Sequence, residues 1–211
     1  STIHSFCKDL LVRQALEGGW APDTEVVSRS RQLSGAFSLW QSQFDQRHPE
    51  VAVLVRLLIS SWTLRRSADE VARFRDLSPV ASTTGWNPEQ IQAMVVDFHG
   101  QLLKAIDQCV NPEKCGLVVA NRALVEFLGE LAVATPMDAA ARFLLSLPKS
   151  NIQKGRKADW PGGKEVMVDL IKRIRAYQDQ LLSYLHGVLI SDLHQYYLPL
   201  LDEAKAAAAV A

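Results

Sequence analysis

Apolar residues recur along this chain at spacings of three and four, most regularly towards its C-terminal end. From Gly163 to Leu198 the sequence runs without an internal proline, and Met167, Leu170, Ile174, Tyr177, Leu181, Tyr184 and Val188 mark one stripe along it. That spacing predicts a single amphipathic helix, buried along one side, which serves as the spine of the fold. At 1.5 Å per residue it extends roughly 50 Å, against a radius of gyration near ~17 Å for a compact chain of this length. Such a helix either bends or reaches past its own domain.

The same periodicity predicts helices in the rest of the chain. A first helix is expected over Ile3 to Glu17, closed by Gly18-Gly19, and a second is opened by Pro22-Asp23-Thr24, with Val26, Leu33, Phe37, Trp40 and Phe44 facing inward. His48-Pro49-Glu50 starts a third helix with proline at its first position. The following residues, Val51 to Ile59 and on to Trp62 and Leu64, are apolar on nearly every side, so this helix is expected to be central and largely surrounded. Ser67-Ala68-Asp69-Glu70 has capping-box spacing and predicts a short fourth helix ending near Leu77. Asn87-Pro88-Glu89, Asn111-Pro112-Glu113 and Thr135-Pro136-Met137-Asp138 each put a capping side chain before proline and start the fifth, sixth and seventh helices. The segments between these starts do not match position by position, so the spacing reflects helix length and not a repeat. Residues 148–163 are aperiodic, and Pro199 is expected to interrupt or bend the spine. The Ala-rich tail 199–211 is helical by propensity and marginal alone, so it is expected to pack on the domain or on a neighbouring chain. The fold class is all-α: one domain over 1–211, with seven or eight helices packed around the long C-terminal one.

The chain has 211 residues, 48% of them hydrophobic and 22% charged, which is enough to bury one good-sized core. No stretch has the length and apolarity of a membrane span, and the early lysine, aspartate and arginine do not resemble a signal-peptide core. A cytoplasmic protein is the expectation. Cys7, Cys109 and Cys115 form neither a disulfide framework nor a CxxC knuckle and are read as reduced. Basic and acidic side chains number 23 each, which argues against a surface built wholly for nucleic acid or membrane. The distribution says more than the sum, because residues 149–175 carry eight basic and three acidic side chains.

That local surplus is the candidate site. Lys149, Lys154, Arg156, Lys157 and Lys164 surround Trp160, and Lys172, Arg173 and Arg175 carry the charge into the spine. Clustered cations bind phosphate backbones by releasing condensed counterions, and an aromatic ring gives a base something to stack on. The alternative is a solvated loop whose lysines serve solubility. Gly162-Gly163-Lys164 is not a P-loop, since Ala158 and Glu165 stand where that pattern needs glycine and serine or threonine. Arg65, Arg66, Arg73 and Arg75 form a second cluster, which the interleaved Asp69, Glu70 and Asp76 are expected to neutralise by local pairing.

No HExxH, GxSxG, dinucleotide-binding glycine pattern or di-iron motif occurs, and no metal or cofactor is expected. Cys109, Cys115 and His99 are the one set that a helical hairpin could bring together. Tyr196, Tyr197 and Leu198, beside the proline, are expected to be exposed and available to a protein partner. The reading from sequence is a non-catalytic helical subunit of a larger assembly that touches RNA or single-stranded DNA through the basic loop. The alternatives are a protein-binding adaptor or chaperone, and then an enzyme with a scattered site.

Overall fold

The computed structural model describes residues 29–73, 75 and 87–210, leaving out the side chains of 29–33, 157 and 208–210. The expected helix Ile3–Glu17, the Pro22-Asp23-Thr24 start and the Ser78-Pro79 stop lie outside the described residues. The all-α expectation holds: among the described residues the chain folds into helices and no strand. In order these are α1 (Arg29–Arg47), α2 (Pro49–Leu58), α3 (Ser61–Arg73), α4 (Pro88–Asp107), α5 (Gly116–Ala120), α6 (Arg122–Ala132), α7 (Pro136–Ser146) and α8 (Glu165–Asp192). A π turn over Leu193–Tyr197 then leads into α9 (Leu198–Val210).

Two buried clusters meet along the spine. The first gathers α4, α6 and α7 against the first three-quarters of α8, from Met167 to Leu185, with Leu54 of α2 joining it. The second gathers α1, α2 and α3 against Leu189, Leu193, Tyr197 and Leu201. Helix α2 serves both, since Leu54 faces the first cluster while Ala52 and Val55 face the second. Along the spine the buried positions first alternate by three and four and then, from Leu181, step by four through Leu185 and Leu189. Each four-residue step carries the stripe about 40° further round the helix, which turns it from α4 and α7 towards α1 and α3. Tyr184 and Val188, placed on the stripe by regular spacing, are consequently only half-buried.

Pro199 does not end the helix. It has no N–H for the carbonyl four residues back, and its ring crowds that turn. The chain answers with the π turn immediately before it, in which the Leu198 N–H reaches back five residues to the Leu193 carbonyl. Helix α9 then packs along α1. Because the helix continues, Tyr197 is buried, and Tyr196 and Leu198 are half-buried within the second cluster. The expectation that these three residues stand exposed is therefore corrected.

Three other boundaries differ from expectation. Helix α2 stops at Leu58, and Ile59 is extended. Ser60 then caps α3, accepting the Thr63 N–H at 3.2 Å. Ser67 consequently lies inside α3, where its hydroxyl donates to the Thr63 carbonyl at 3.1 Å, and caps nothing. Helix α2 is not surrounded: Val53 and Leu57 are exposed, as is Trp62 at 69%. Asn87 and Thr135 do cap α4 and α7, accepting the Gln90 and Asp138 N–H groups. Asn111 instead closes a turn, its carbonyl accepting the Lys114 and Cys115 N–H groups, and the sixth expected helix begins later and is split at Asn121 into α5 and α6.

The second cluster is fastened by one buried carboxylate. Asp192, at the last turn of α8, is 3% exposed. Its Oδ1 accepts the Trp40 indole N–H at 2.7 Å and one Arg47 nitrogen at 2.7 Å. Its Oδ2 accepts Arg47 Nε at 3.0 Å and lies 3.1 Å from His48 Nε2. The Arg47 guanidinium also lies over the Tyr196 ring, 3.8 Å from its centroid. Four donors on two oxygens use the acceptor capacity of a carboxylate in full, which is how a charge is tolerated inside an aromatic cluster. Phe37, Trp40, Phe44 and Tyr197 stack around it with centroids 5.4 to 6.2 Å apart.

Replacing Asp192 with alanine strands the indole N–H and the guanidinium, so equilibrium urea unfolding should show a loss of about 3 kcal/mol. Asp192→Asn, which keeps the shape and one acceptor, should lose less. An alanine variant as stable as the parent would show that Asp192 does not fasten the cluster. A second expectation concerns Tyr177, whose phenol is pushed by burial from 10.0 up to about 12. Between those values the unfolded chain releases this proton and the folded chain keeps it, so stability falls as pH rises through that window. The urea midpoint of Tyr177→Phe should fall less across the same range, and equal falls would remove Tyr177 as the cause.

Candidate phosphate-binding loop

The segment between α7 and α8 has little regular structure of its own, only one 3₁₀ turn over Lys157–Asp159. It is held instead by three anchors. The first is Asn121, a 1% exposed amide at the break between α5 and α6. Its Nδ2 donates to the Leu117 carbonyl at 2.8 Å and to the Asn151 carbonyl at 2.9 Å, while its Oδ1 accepts the Asn151 N–H at 2.9 Å. One side chain thus closes the break in the helix and grips the loop backbone from both sides.

The second anchor is Trp160. Its ring is 3% exposed in the first cluster, and its N–H points to Cys115 Sγ at 3.2 Å. Next to it, the Asp159 carbonyl accepts the Val110 N–H at 3.0 Å. Trp160 is therefore a core residue that pins the loop to the α4–α5 connection, and its ring is not offered to a stacking base. The third anchor is Arg175. Half-buried on α8, it donates to Ser150 Oγ at 3.3 Å and to the Leu147 and Pro148 carbonyls, satisfying acceptors left at the end of α7. Burial pulls its pKa below the ordinary arginine value, with Asp179 opposing.

Between the anchors the chain passes close to α5 at Gly155, which has φ +97°. A Cβ there would lie 2.9 Å from Leu117 Cβ, so both the turn and the contact require glycine. Lys154 and Arg156 flank it, both exposed, and the half-buried Lys164 brings its Nζ to the Gly155 carbonyl at 3.5 Å. These three and exposed Lys149 make no ion pair among the described residues. Asp159 accepts the Arg156 backbone N–H at 3.3 Å. Elsewhere the exposed arginines are mostly paired: Arg56 with Asp45, Arg66 with Glu70, Arg75 with Asp202, Arg122 with Glu113, and Arg142 with Glu130. In the second cluster, local pairing accounts for Arg66, whereas Arg75 reaches α9 and Arg65 donates to Ser34 Oγ.

The remaining sequence candidates are not gathered at Gly155. Lys172 sits 3.6 Å from Asp169, and Arg173 reaches Gln101 on α4 at 3.4 Å. The Lys157 side chain lies outside the described residues. At the start of α8, the Glu165 carboxylate folds back against Gly163, which has φ +91°. This carboxylate already occupies the positive end of the helix, where a P-loop would hold phosphate.

Cys109 and Cys115 are both buried, Trp160 donates its indole N–H to Cys115 Sγ, and burial pushes the Cys109 thiol up. His99 does not join them. It lies against Gly129 of α6, where a Cβ would come within 3.0 Å of its Nε2. Among the described residues no three histidine, cysteine or acidic side chains converge on a metal position, and no helix is long and apolar enough to cross a membrane. A small cleft opens where Glu50, Val51, Asn87, Leu144 and Tyr184 meet, and no residue of the loop lines it. No family model matches the chain, and no curated protein or solved structure matches it either.

Asn121→Ala removes three hydrogen bonds and leaves the facing backbone groups unpaired, which should cost about 1 to 3 kcal/mol. It should also speed native-state trypsin cleavage after Lys154 and Arg156. Unchanged cleavage at both sites would mean that Asn121 does not restrain the loop.

Proposed function

We propose that this chain is a non-catalytic helical subunit that contacts a nucleic-acid phosphate backbone through the loop 148–163. One observation carries the reading: Lys149, Lys154 and Arg156 of the loop, and Lys164 just after it, make no ion pair among the described residues, and the loop is tied to the core by Asn121, Trp160 and Arg175. Holding unneutralised cations in fixed places gives a phosphate chain an entropically inexpensive partner, because little ordering remains to be done on binding. The burial of Trp160 takes base stacking out of the reading. What is left is backbone contact with little sequence preference. A cytoplasmic location and membership of a larger assembly belong to the same proposal.

The protein should bind fluorescent single- and double-stranded oligonucleotides with an affinity that falls steeply with salt. The triple variant Lys149→Ala, Lys154→Ala, Arg156→Ala should bind more weakly across sequences and flatten the salt slope by up to about 3 units. Arg66→Ala and Arg122→Ala, which remove paired arginines, should leave it unchanged. An unaltered slope in the triple variant would remove the loop as the contact. Absence of any binding at low salt would favour the protein-binding alternative, for which Val53, Leu57 and Trp62 are the exposed apolar residues of α2 and α3.

A further inference from the structure

We propose that the outer face of α4 is the surface through which two copies of this chain associate, the two helices lying antiparallel across a two-fold axis beside Gly100. The helix is apolar on two opposite sides. Ile91, Val95, Phe98, Leu102 and Ala105 form its buried side, packed into the first cluster. Half a turn round, Ala93, Val96, Gly100 and Leu103 follow one another at spacings of three, four and three, the pattern by which two helices mesh along a seam. Val96 is 47% and Leu103 45% exposed, Ala93 is exposed as well, and a Cβ on Gly100 would meet nothing within 4 Å. The helices that pack on α4, namely α6, α7 and α8, leave this side open.

The charges beside the stripe point to a second copy as its occupant and set the direction. Asp97 and Lys104 are exposed on the same flank, seven residues apart, one on either side of Gly100. Gln101 holds one Asp97 oxygen at 2.6 Å and leaves the other, and Lys104 makes no ion pair among the described residues. In an antiparallel helix pair like flanks face each other. An axis beside Gly100 then sets each Asp97 against the Lys104 of the other copy and each Val96 against its Leu103. The face is thus complementary to itself, as a two-fold contact requires. A parallel pair would set this flank against Gln92 and His99 and make neither ion pair. Glycine at the crossing point lets the two backbones come close. A strip about 30 Å long falls short of the roughly 800 Å² per partner of a standard interface, so the dimer is weak and forms with rising concentration. No cation of the loop takes part, and the contact is independent of binding to nucleic acid.

Sedimentation velocity of the full chain without nucleic acid, from about 5 µM to about 1 mM, spans the range in which weak specific contacts dissociate. The expected result is a shift from 23.4 kDa towards twice that mass as concentration rises. Leu103→Glu, which should leave the helical circular dichroism unchanged because the position is exposed, should raise the dissociation constant about tenfold or more by placing a carboxylate in the seam. Asp97→Lys and Lys104→Glu should each weaken the dimer too. An equimolar mixture of those two variants should associate again, because each supplies the charges that the other lacks. A chain that stays monomeric throughout the range would overturn the proposal. So would a dimer that Leu103→Glu leaves intact, or a mixture that associates no more tightly than its two components.

Discussion

The carboxylate of Asp192 is the point on which the second half of the structure depends. A charge 3% exposed among Phe37, Trp40, Phe44 and Tyr197 is tolerable only if every acceptor position is used, and it is. The requirement runs both ways. Helix α1 has to present Trp40 and Arg47 a heptad apart on one face, α2 has to begin directly afterwards so that His48 sits beside them, and the spine has to keep its helical path through residue 192. Apolar contacts alone would let α1 slide or rotate on the spine at modest cost. A bidentate guanidinium with an indole N–H fixes one register.

Local periodicity made the spine, the inner faces of α4 and α6, and the caps at Asn87 and Thr135 legible in the residues, because each is decided by neighbours three or four positions away. What was not legible is decided at long range. Ser67 matches a capping box, but a stronger start stood at Ser60, and α3 runs through Ser67 because Leu64, Ala68 and Val71 form one buried face. The run from Val51 to Trp62 suggested a surrounded helix, yet α2 leaves Val53 and Leu57 exposed while packing on α1 and α7. Asp192 bore a sign that could have been read, being an acid on the continuation of an apolar stripe. Its three partners lie about 145 residues or more away in sequence.

The loop 148–163 teaches a related lesson about aromatic residues in basic segments. A tryptophan among lysines invites a stacking role, but Trp160 is spent on the core, and its companions in that task are a cysteine and a backbone pair that composition does not single out. Asn121 is the clearest omission. A lone asparagine inside Leu117 to Leu128, an otherwise largely apolar run, signals a helix break with an amide turned inward, and the loop it holds is 30 residues further along. Two of the loop's three anchors, Asn121 and Arg175, lie outside it, while Trp160 and Gly155 are the loop residues whose identity the fold requires.

The π turn before Pro199 also sets the phase of everything after it. One extra residue per turn retards the following helix by about 100° relative to an uninterrupted α-helix. The turn therefore does more than accommodate a proline. It chooses which side of α9 faces α1, placing Leu201 in the second cluster and Asp202 where Arg75 grips both its oxygens at 2.7 and 2.9 Å. The five residues Leu193–Tyr197 thus act as a splice between two helical registers, and the tail's docking is written in that offset more than in the alanines that compose it.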